Sequence, residues 1–216
     1  MFKPILLFSL AIVLASASLG IDTYLEIPET SYQCLVQSGV ELVIYEIWNV
    51  TGGINQDFVR KHDELLAAGI KHFDAFVDLN QTFTPEELCS GLAHALPSNF
   101  KDVVWLYGDG DQNLWDYDYG SRLLYVEEIA KTCQAHGVRT GIFSSAKTWA
   151  KVMGYQSAGS PVLQQLMPVW YVHPNGSPSF GDWHEEYFGT WKNPNMKEYS
   201  KQDSFCRMKI RGLQYF

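Results

Sequence analysis

Short apolar stretches alternate with segments of helical periodicity along most of the chain. Runs rich in β-branched and aromatic residues, bounded by turn residues, are typical of strands. They predict strands at residues 21–25, 40–48, 70–79, 103–107, 138–144 and 167–173, with weaker ones near 196–199 and 208–215.

Helical segments, several of them followed by a glycine, lie between these strands. Apolar residues three or four positions apart mark the clearest helix, and glycine after the last turn is typical of a helix C-terminus. The sequence predicts helices over residues 30–38, 55–68, 121–136 and 148–153, and one that begins at Thr84 and Pro85.

This alternation predicts right-handed β-α-β units around a parallel sheet. About eight strands with thin helices late in the chain favour a single α/β domain, an irregular (β/α) barrel of the TIM type, over residues 18–216. An open doubly wound sheet is the alternative.

Residues 1–17 have the composition of a secretory signal peptide. Lys3 precedes an apolar run, and Ala15 and Ala17 are suitable small residues for cleavage after position 17. A membrane anchor is less favoured, because the run is shorter than the roughly 20 residues that a transmembrane helix needs. We therefore expect a secreted, extracellular protein with no membrane partner.

If the protein is secreted, its four cysteines are expected to form disulfide bonds. An even number of cysteines in an oxidising compartment predicts two disulfides, and the sequence leaves all three pairings open. Asn49, Asn80 and Asn175 begin N-x-Ser/Thr triplets, so each is an acceptor for N-glycosylation. The cysteines are Cys34, Cys89, Cys133 and Cys206.

Charge and composition restrict the partners. The 216 residues include 24 Asp and Glu against 16 Lys and Arg, for a net charge of −8. A nucleic-acid-binding protein presents a basic face to phosphate groups, so we expect no nucleic acid as partner. An aromatic content of 14% favours a sugar- or ligand-binding cleft. We expect a monomer without a cofactor or bound metal.

Acidic side chains recur where the predicted strands end. In a (β/α) barrel, the carboxyl ends of the strands and the loops that follow them carry the active site. Carboxylates beside aromatic rings are typical of glycoside hydrolases, which protonate a glycosidic oxygen and stack sugars on the rings. The candidates are Asp22, Glu46, Asp74, Asp78, Asp109, Asp111, His173 and Glu198, with Trp48, Trp105, Trp115, Trp170, Tyr171 and Trp191 as aromatic partners.

The Gly-Asp-Gly-Asp segment after Leu106 allows more than one interpretation. Asp109 and Asp111 are either carboxylates at the active end of the barrel or parts of an exposed turn, for which Gly-Asp-Gly is common. A calcium loop is a lesser alternative, since the glycine and closing glutamate of an EF-hand are absent.

Motifs in a fixed order cover nearly all of the chain from residue 20 onward. They include Gly20-Ile-Asp-Thr, Phe73-Asp-Ala-Phe, Trp105-Leu, Gly137-Val-Arg-Thr-Gly-Ile-Phe-Ser-Ser-Ala, Trp170-Tyr-Val-His and Phe188-Gly-Thr-Trp. As an ordered set they resemble the family-25-type glycoside hydrolase lysozymes, in the divergent secreted branch found in nematodes and amoebae. The resemblance implies an irregular (β/α) barrel and peptidoglycan as the ancestral substrate.

The resemblance assigns catalytic roles only in part. Asp22 matches the acidic residue of the family's first strand. The family's Asp-x-Glu motif falls on Tyr107 and Asp109, so Asp109 takes the place of the proton-donating Glu. An Asp of the last strand aligns near Arg211, and a Gln before the late Tyr is replaced by Glu198.

These departures predict weak or absent hydrolysis. Asp is one methylene shorter than Glu, and a nearby Arg would hold Asp109 ionised at neutral pH. We therefore expect a secreted lysozyme-family protein directed at peptidoglycan, in digestion or innate defence, with weak or lost activity. The alternatives are a non-catalytic carbohydrate-binding protein and, if Tyr107 and Arg211 plug the cleft, a secreted interaction protein.

Further residues are predicted to line the cleft beside Tyr107. Trp170 and Tyr171 form either a sugar-stacking wall or buried barrel aromatics. Asp74 points either into the barrel mouth or outward. Glu198 is a candidate for binding substrate or for replacing the lost acid.

Overall fold

Eight strands close into a barrel, and helices pack around its outside. The structure is a computed structural model that describes residues 18–48, 53–79, 83–107 and 118–216. The barrel strands are β1 (Leu19–Thr23), β2 (Val40–Trp48), β3 (His72–Asp78), β4 (Val104–Tyr107), β5 (Thr140–Ser144), β6 (Val169–Val172), β7 (Met196–Lys201) and β10 (Gly212–Tyr215). Their order around the barrel is β1-β10-β7-β6-β5-β4-β3-β2. The predicted α/β barrel is confirmed, and closure excludes the open sheet.

Helices and one short hairpin complete the described chain. The hairpin consists of β8 (Ser204–Phe205) and β9 (Met208–Lys209). The helices are α1 (Tyr32–Gln37), α2 (Phe58–Ala68), α3 (Pro85–Ala95), α4 (Tyr119–Ala135), α5 (Ala146–Met153), α6 (Pro161–Leu166) and α7 (Trp183–Glu186). None of these described helices is long and apolar enough to cross a membrane.

Local sequence explains where several helices begin and end. Thr84 and Glu87 form a reciprocal capping box at the start of α3, in which each side chain accepts a hydrogen bond from the other residue's backbone N–H. Gly69 ends α2 at a φ of 112°, a conformation that favours glycine. The sequence did not predict α6 and α7, because six and four residues are too few to show a period.

Strand β10 is antiparallel to both of its neighbours, whereas the other neighbouring barrel strands are parallel. Its first residue, Gly212, pairs with Asp22 at the carboxyl end of β1. The segment 208–215, predicted as one strand, is divided by Ile210 and Arg211 into β9 and β10. The residues just before β10 therefore lie at the carboxyl end of the parallel strands.

Alternation along the strands divides the apolar residues into an interior and an outer core. Outward-facing residues such as Ile21, Val43 and Leu106 pack beneath the helices. The inward-facing residues that fill the barrel include Leu42, Ile44, Phe76, Trp105, Phe143, Trp170 and Met196. The interior is thus a packed core, with space for a site only at its end.

Two disulfides use all four cysteines. Cys89–Cys133 joins α3 to α4, and Cys34–Cys206 joins α1 to the turn of the β8–β9 hairpin. This turn places Cys206 and Arg207 at positive φ values of 49° and 65°. The prediction of two disulfides is confirmed, and the structure selects this one pairing.

Several sequence predictions concern residues outside the described ranges. These are the signal peptide over 1–17, the glycosylation acceptors Asn49 and Asn80, and the loop residues Asp109, Asp111 and Trp115. Asn175 is described, and its glycosylation stays a prediction.

A first prediction concerns the packing of the barrel interior. A Cβ on Gly141 would lie 2.6 Å from Cζ3 of Trp105, closer than packed carbon atoms approach. We expect Gly141→Ala to lower the free energy of unfolding by about 1–3 kcal/mol through overpacking. Gly181→Ala is the matched control, since its nearest neighbour, Oγ of Ser179, is 3.5 Å away. Equal stability of the two variants in denaturant unfolding would contradict this account of the interior.

Candidate active site

Two carboxyl groups face the barrel mouth from the strands on either side of β10. Asp22 is the last inward-facing residue of β1, and Glu198 lies on the inward face of β7. Gly212 of β10 lies between them, where a Cβ would be 2.9 Å from Cγ and Cδ of Glu198. The missing side chain at Gly212 therefore leaves room for the two acids to share one space.

Asp22 is fully buried and held by directed contacts. Its Oδ1 accepts a 2.6 Å hydrogen bond from Nε2 of Gln214, and the Gly212 N–H also donates to its carboxylate. Oε1 of Gln214 in turn accepts from the indole N–H of Trp170 at 3.0 Å. Because an indole nitrogen can only donate, this contact fixes the Gln214 amide with its NH₂ group toward Asp22.

Arg211 places a positive charge in the mouth beside this pair. Its Nε lies 3.2 Å from Oδ2 of Asp22, and its backbone N–H donates to the Asp22 carbonyl at 2.8 Å. The guanidinium carbon lies 4.6 Å from the ring centre of Tyr107, 5.0 Å from Phe76 and 5.6 Å from Phe143. Three rings and one carboxylate thus surround the guanidinium, through cation–π and ionic contacts.

The environment separates the two acids in their affinity for protons. Burial raises the pKa of Asp22 to about 6, against the opposing charge of Arg211. Burial and the charge of Asp22 raise the pKa of Glu198 to about 8, opposed by Arg211 and Lys201. Both pKa values are therefore raised, and Glu198 has the higher proton affinity of the two. Two carboxyls driven apart in this way are typical of an acid and its partner in catalysis.

Two more of the predicted acids lie higher on the same interior face. Glu46 and Asp78 are half-buried near the carboxyl ends of β2 and β3, facing the inside of the barrel. Burial raises the pKa of Glu46, as does the charge of Asp78, whereas Arg211 lowers it. Arg211 is therefore within electrostatic reach of this second acidic pair.

Asp74 faces the barrel interior but lies below the mouth, so its position does not support a substrate-binding role. Its Oδ2 accepts a 2.6 Å hydrogen bond from the indole N–H of Trp105, and its Oδ1 accepts from the Val103 N–H at 3.1 Å. Burial raises its pKa to about 7. Asp74 thus satisfies polar groups inside the packed barrel.

The predicted sugar-stacking wall is not present at the mouth. Trp170 points into the barrel and is 1% exposed, packed with its ring centre 3.8 Å from that of Phe143. Tyr171 points the other way, into the outer core, and its hydroxyl donates to Oδ1 of Asp182 at 2.6 Å. Consecutive strand residues face opposite sides, so the two rings cannot form one wall. Both are buried barrel aromatics, the second of the two interpretations.

Most of the other predicted aromatics also have packing roles. Trp105 lies in the barrel interior, and Trp48 packs on Phe83 outside it. Trp191 is in the outer core, where its indole N–H donates to the Met167 carbonyl. Among the described aromatics, the ones that contact the Arg211 guanidinium are Tyr107, Phe76 and Phe143, and of these the sequence singled out only Tyr107 as a site residue.

His173 belongs to a polar cluster on the outside of β6 and β7. Its Nδ1 contacts Oδ2 of Asp182, which also accepts 2.7 Å and 2.9 Å hydrogen bonds from Nζ of Lys197 and Nδ2 of Asn175. Lys197 is fully buried, and the cluster ties the loop after β6 to β7. The sequence missed this cluster, and it also missed Gln214, which the alternation of the last strand places on the same face as Gly212.

A second prediction separates the structural Asp74 from the mouth. We expect Asp74→Ala to lower the free energy of unfolding by about 1–3 kcal/mol, because it leaves the Trp105 indole N–H and the Val103 N–H without an acceptor. Affinity for insoluble peptidoglycan, measured by co-sedimentation of folded protein, should stay unchanged. Lost binding with unchanged thermal unfolding would instead assign Asp74 to the site.

The chain is similar in sequence to lysozyme-like proteins. A family model described as "Lysozyme-like protein 1" matches residues 14–199. The probable GH family 25 lysozyme 5 of Dictyostelium discoideum is 24% identical over 207 residues, which cover 94% of this chain and 93% of that protein. Lysozyme-like protein 5 of Caenorhabditis elegans is 23% identical, covering 92% of this chain and 90% of its own.

The fold has a counterpart among solved structures. A family GH25 lysozyme from Aspergillus fumigatus superposes with a TM-score of 0.73 at 12% identity, over 93% of this chain and 94% of that one. The family model covers most of the chain, including β1 and the first part of β7, which carry the two buried acids. The chain therefore belongs to the lysozyme-like family, a divergent branch of the family-25-type glycoside hydrolases.

Proposed function

We propose that this protein is secreted and acts on bacterial cell-wall peptidoglycan, in digestion or innate defence, and that it hydrolyses the glycan only weakly. Membership of the lysozyme-like family supports the choice of substrate class. The proposal of weak hydrolysis rests on one observation, the position of Arg211, whose guanidinium pairs with Asp22 inside the barrel mouth.

Arg211 opposes hydrolysis in two ways. Its side chain is 22% exposed, whereas that of Asp22 is fully buried, so Arg211 lies between this carboxylate and the solvent. Its charge also neutralises the carboxylate that would stabilise the positive charge developing on the sugar in the transition state. Sugar can approach Asp22 only after the guanidinium leaves its place against the rings.

Tyr107 supports the same conclusion. By the resemblance it occupies the first acidic position of the Asp-x-Glu motif, and its ring packs against Arg211 instead of presenting a carboxylate. Two features support secretion: the signal-peptide composition of residues 1–17 and the two disulfides, which persist in oxidising compartments.

A second candidate function is a secreted interaction or carbohydrate-binding protein on the same barrel. The contact between Arg211 and Tyr107 favours it, because a plugged mouth is what a protein without catalytic activity would show. This candidate predicts binding to peptidoglycan or to another partner with no release of fragments.

A third prediction tests the role of Arg211. We expect the wild-type protein to co-sediment with insoluble peptidoglycan and to clear a suspension of it slowly. Arg211→Asp removes the guanidinium and supplies the acid that the resemblance puts there, so clearing should rise about tenfold or more, equivalent to roughly 1.4 kcal/mol of barrier. Turbidity and reducing-end release measure the rates.

Arg139→Asp is the matched control, because it makes the same charge change just before β5, at the opposite end of the barrel. It should leave clearing unchanged. If Arg211→Asp folds, binds and still releases no fragments, the second candidate is favoured. Absence of binding to peptidoglycan by the wild-type protein would contradict the proposed target itself.

A further inference from the structure

The two buried acids of the mouth are held very differently. Asp22 accepts hydrogen bonds from Gln214 and Gly212 and pairs with Arg211. The carboxyl of Glu198 accepts no hydrogen bond from any part of the chain that the structure describes, and what acts on it is burial together with the charges of Asp22, Arg211 and Lys201. Asp22 therefore has more contacts that stabilise its anion, and the Glu198 proton is not committed to a protein acceptor.

This asymmetry matches the needs of glycoside hydrolysis. One carboxyl must carry a proton and be free to give it to the glycosidic oxygen, while the other must stay ionised nearby. Glu198 and Asp22 face the same space across Gly212, which has no side chain to separate them. The sequence had assigned the donor role to Asp109, which lies outside the described residues.

We propose that Glu198 on β7 is the proton donor for the residual hydrolysis, with Asp22 on β1 as its ionised partner. The assignment rests on the proposed function, since it concerns cleavage of the same glycan. It makes Glu198 a catalytic residue at a position where the resemblance expects a neutral Gln.

The reaction then uses water as its only co-reactant. Glu198 gives its proton to the glycosidic oxygen as the bond from that oxygen to the anomeric carbon breaks, and the leaving sugar departs as an alcohol. The Asp22 carboxylate stabilises the positive charge on the remaining ring. Water adds to the anomeric carbon and returns a proton to Glu198, which restores the starting state.

The Arg211 side chain controls access of the substrate to Asp22 and Glu198. Glu198 is 4% exposed and Asp22 is fully buried. A substrate can therefore contact these two carboxyls only when the Arg211 side chain turns out of the mouth. That side chain is held by one carboxylate contact and by ring faces, with no described bidentate partner. Its displacement needs a side-chain rotation that breaks the contact with Asp22, and the time that the side chain spends out of the mouth would limit the rate.

The test measures fragments released from peptidoglycan by mass spectrometry, which detects slow turnover. Glu198→Gln should lower the wild-type rate by about 100- to 10,000-fold, the usual contribution of a general acid. Asp109→Asn tests the rival donor that the resemblance names, and if Glu198 gives the proton, this variant should lose much less of the rate than Glu198→Gln does. Glu185→Gln, at a side chain 71% exposed on the surface, controls for the chemical change itself.

Two further measurements separate proton donation from a structural role. A 2,4-dinitrophenyl glycoside of the peptidoglycan disaccharide needs no protonation on departure, so Glu198→Gln should cost less than about tenfold on this substrate, far below the usual contribution of a general acid. The wild-type rate should rise with pH as the Asp22–Glu198 pair loses its first proton and fall as it loses its second, with both apparent pKa values above the ordinary carboxyl range. The alkaline fall should be absent in Glu198→Gln.

Three results would overturn the assignment. One is full activity of folded Glu198→Gln, and another is loss of activity in Asp109→Asn alone. The third is wild-type protein that binds peptidoglycan and releases no fragment at any pH. That last outcome removes the catalytic role of Glu198 while leaving the peptidoglycan target in place, whereas absence of binding contradicts the target first.

Discussion

The ion pair between Asp22 and Arg211 is the contact on which the mouth of the barrel depends. A carboxylate with no exposed surface is costly unless charge and hydrogen bonds compensate it, and here Arg211, Gln214 and Gly212 supply both. All three compensating residues come from β10 or the residue before it. One short strand and the residue before it therefore supply the contacts that stabilise the Asp22 carboxylate.

The direction of β10 makes this possible. A parallel strand would bring its last residues to the mouth, followed by a loop, whereas antiparallel β10 brings its first residue and the segment before it. That segment follows the β8–β9 hairpin, whose turn is bonded to α1 through Cys34–Cys206. Thr23 also donates to the Lys209 carbonyl at 3.0 Å. Arg211 is thus positioned by the end of β1, by a hairpin and by a distant helix.

Much of the fold followed from local sequence, because strands and helix ends are local features. The glycine after α2 and the Thr84 cap of α3 are examples, and the alternation of apolar runs identified the barrel strands. The division of residues 208–215 into β9 and β10 could not be predicted. It depends on the pairing of the final strand with β1 and β7, and no local pattern records that pairing.

Less of the candidate site than of the fold could be predicted from the sequence. Period-two alternation indicates that Asp74 and Asp78 share a face, but it does not indicate depth, and Asp74 lies beside the Trp105 indole below the mouth. The same alternation places Trp170 and Tyr171 on opposite faces, so stricter use of it would have excluded their common wall. The raised proton affinity of Glu198 required the structure, because its neighbour Asp22 is 176 positions away in the sequence.

The Cys34–Cys206 bond also determines what a cut in the backbone would do to the barrel. Its two ends lie just inside the first and last barrel strands, so it covalently joins the β1 segment to the β10 segment. A single cut of the backbone anywhere between these cysteines leaves one covalent molecule in which the neighbouring strands β1 and β10 stay connected. The carboxylate on one strand and the guanidinium beside the other then remain in register, and a nicked chain keeps the parts of its mouth together.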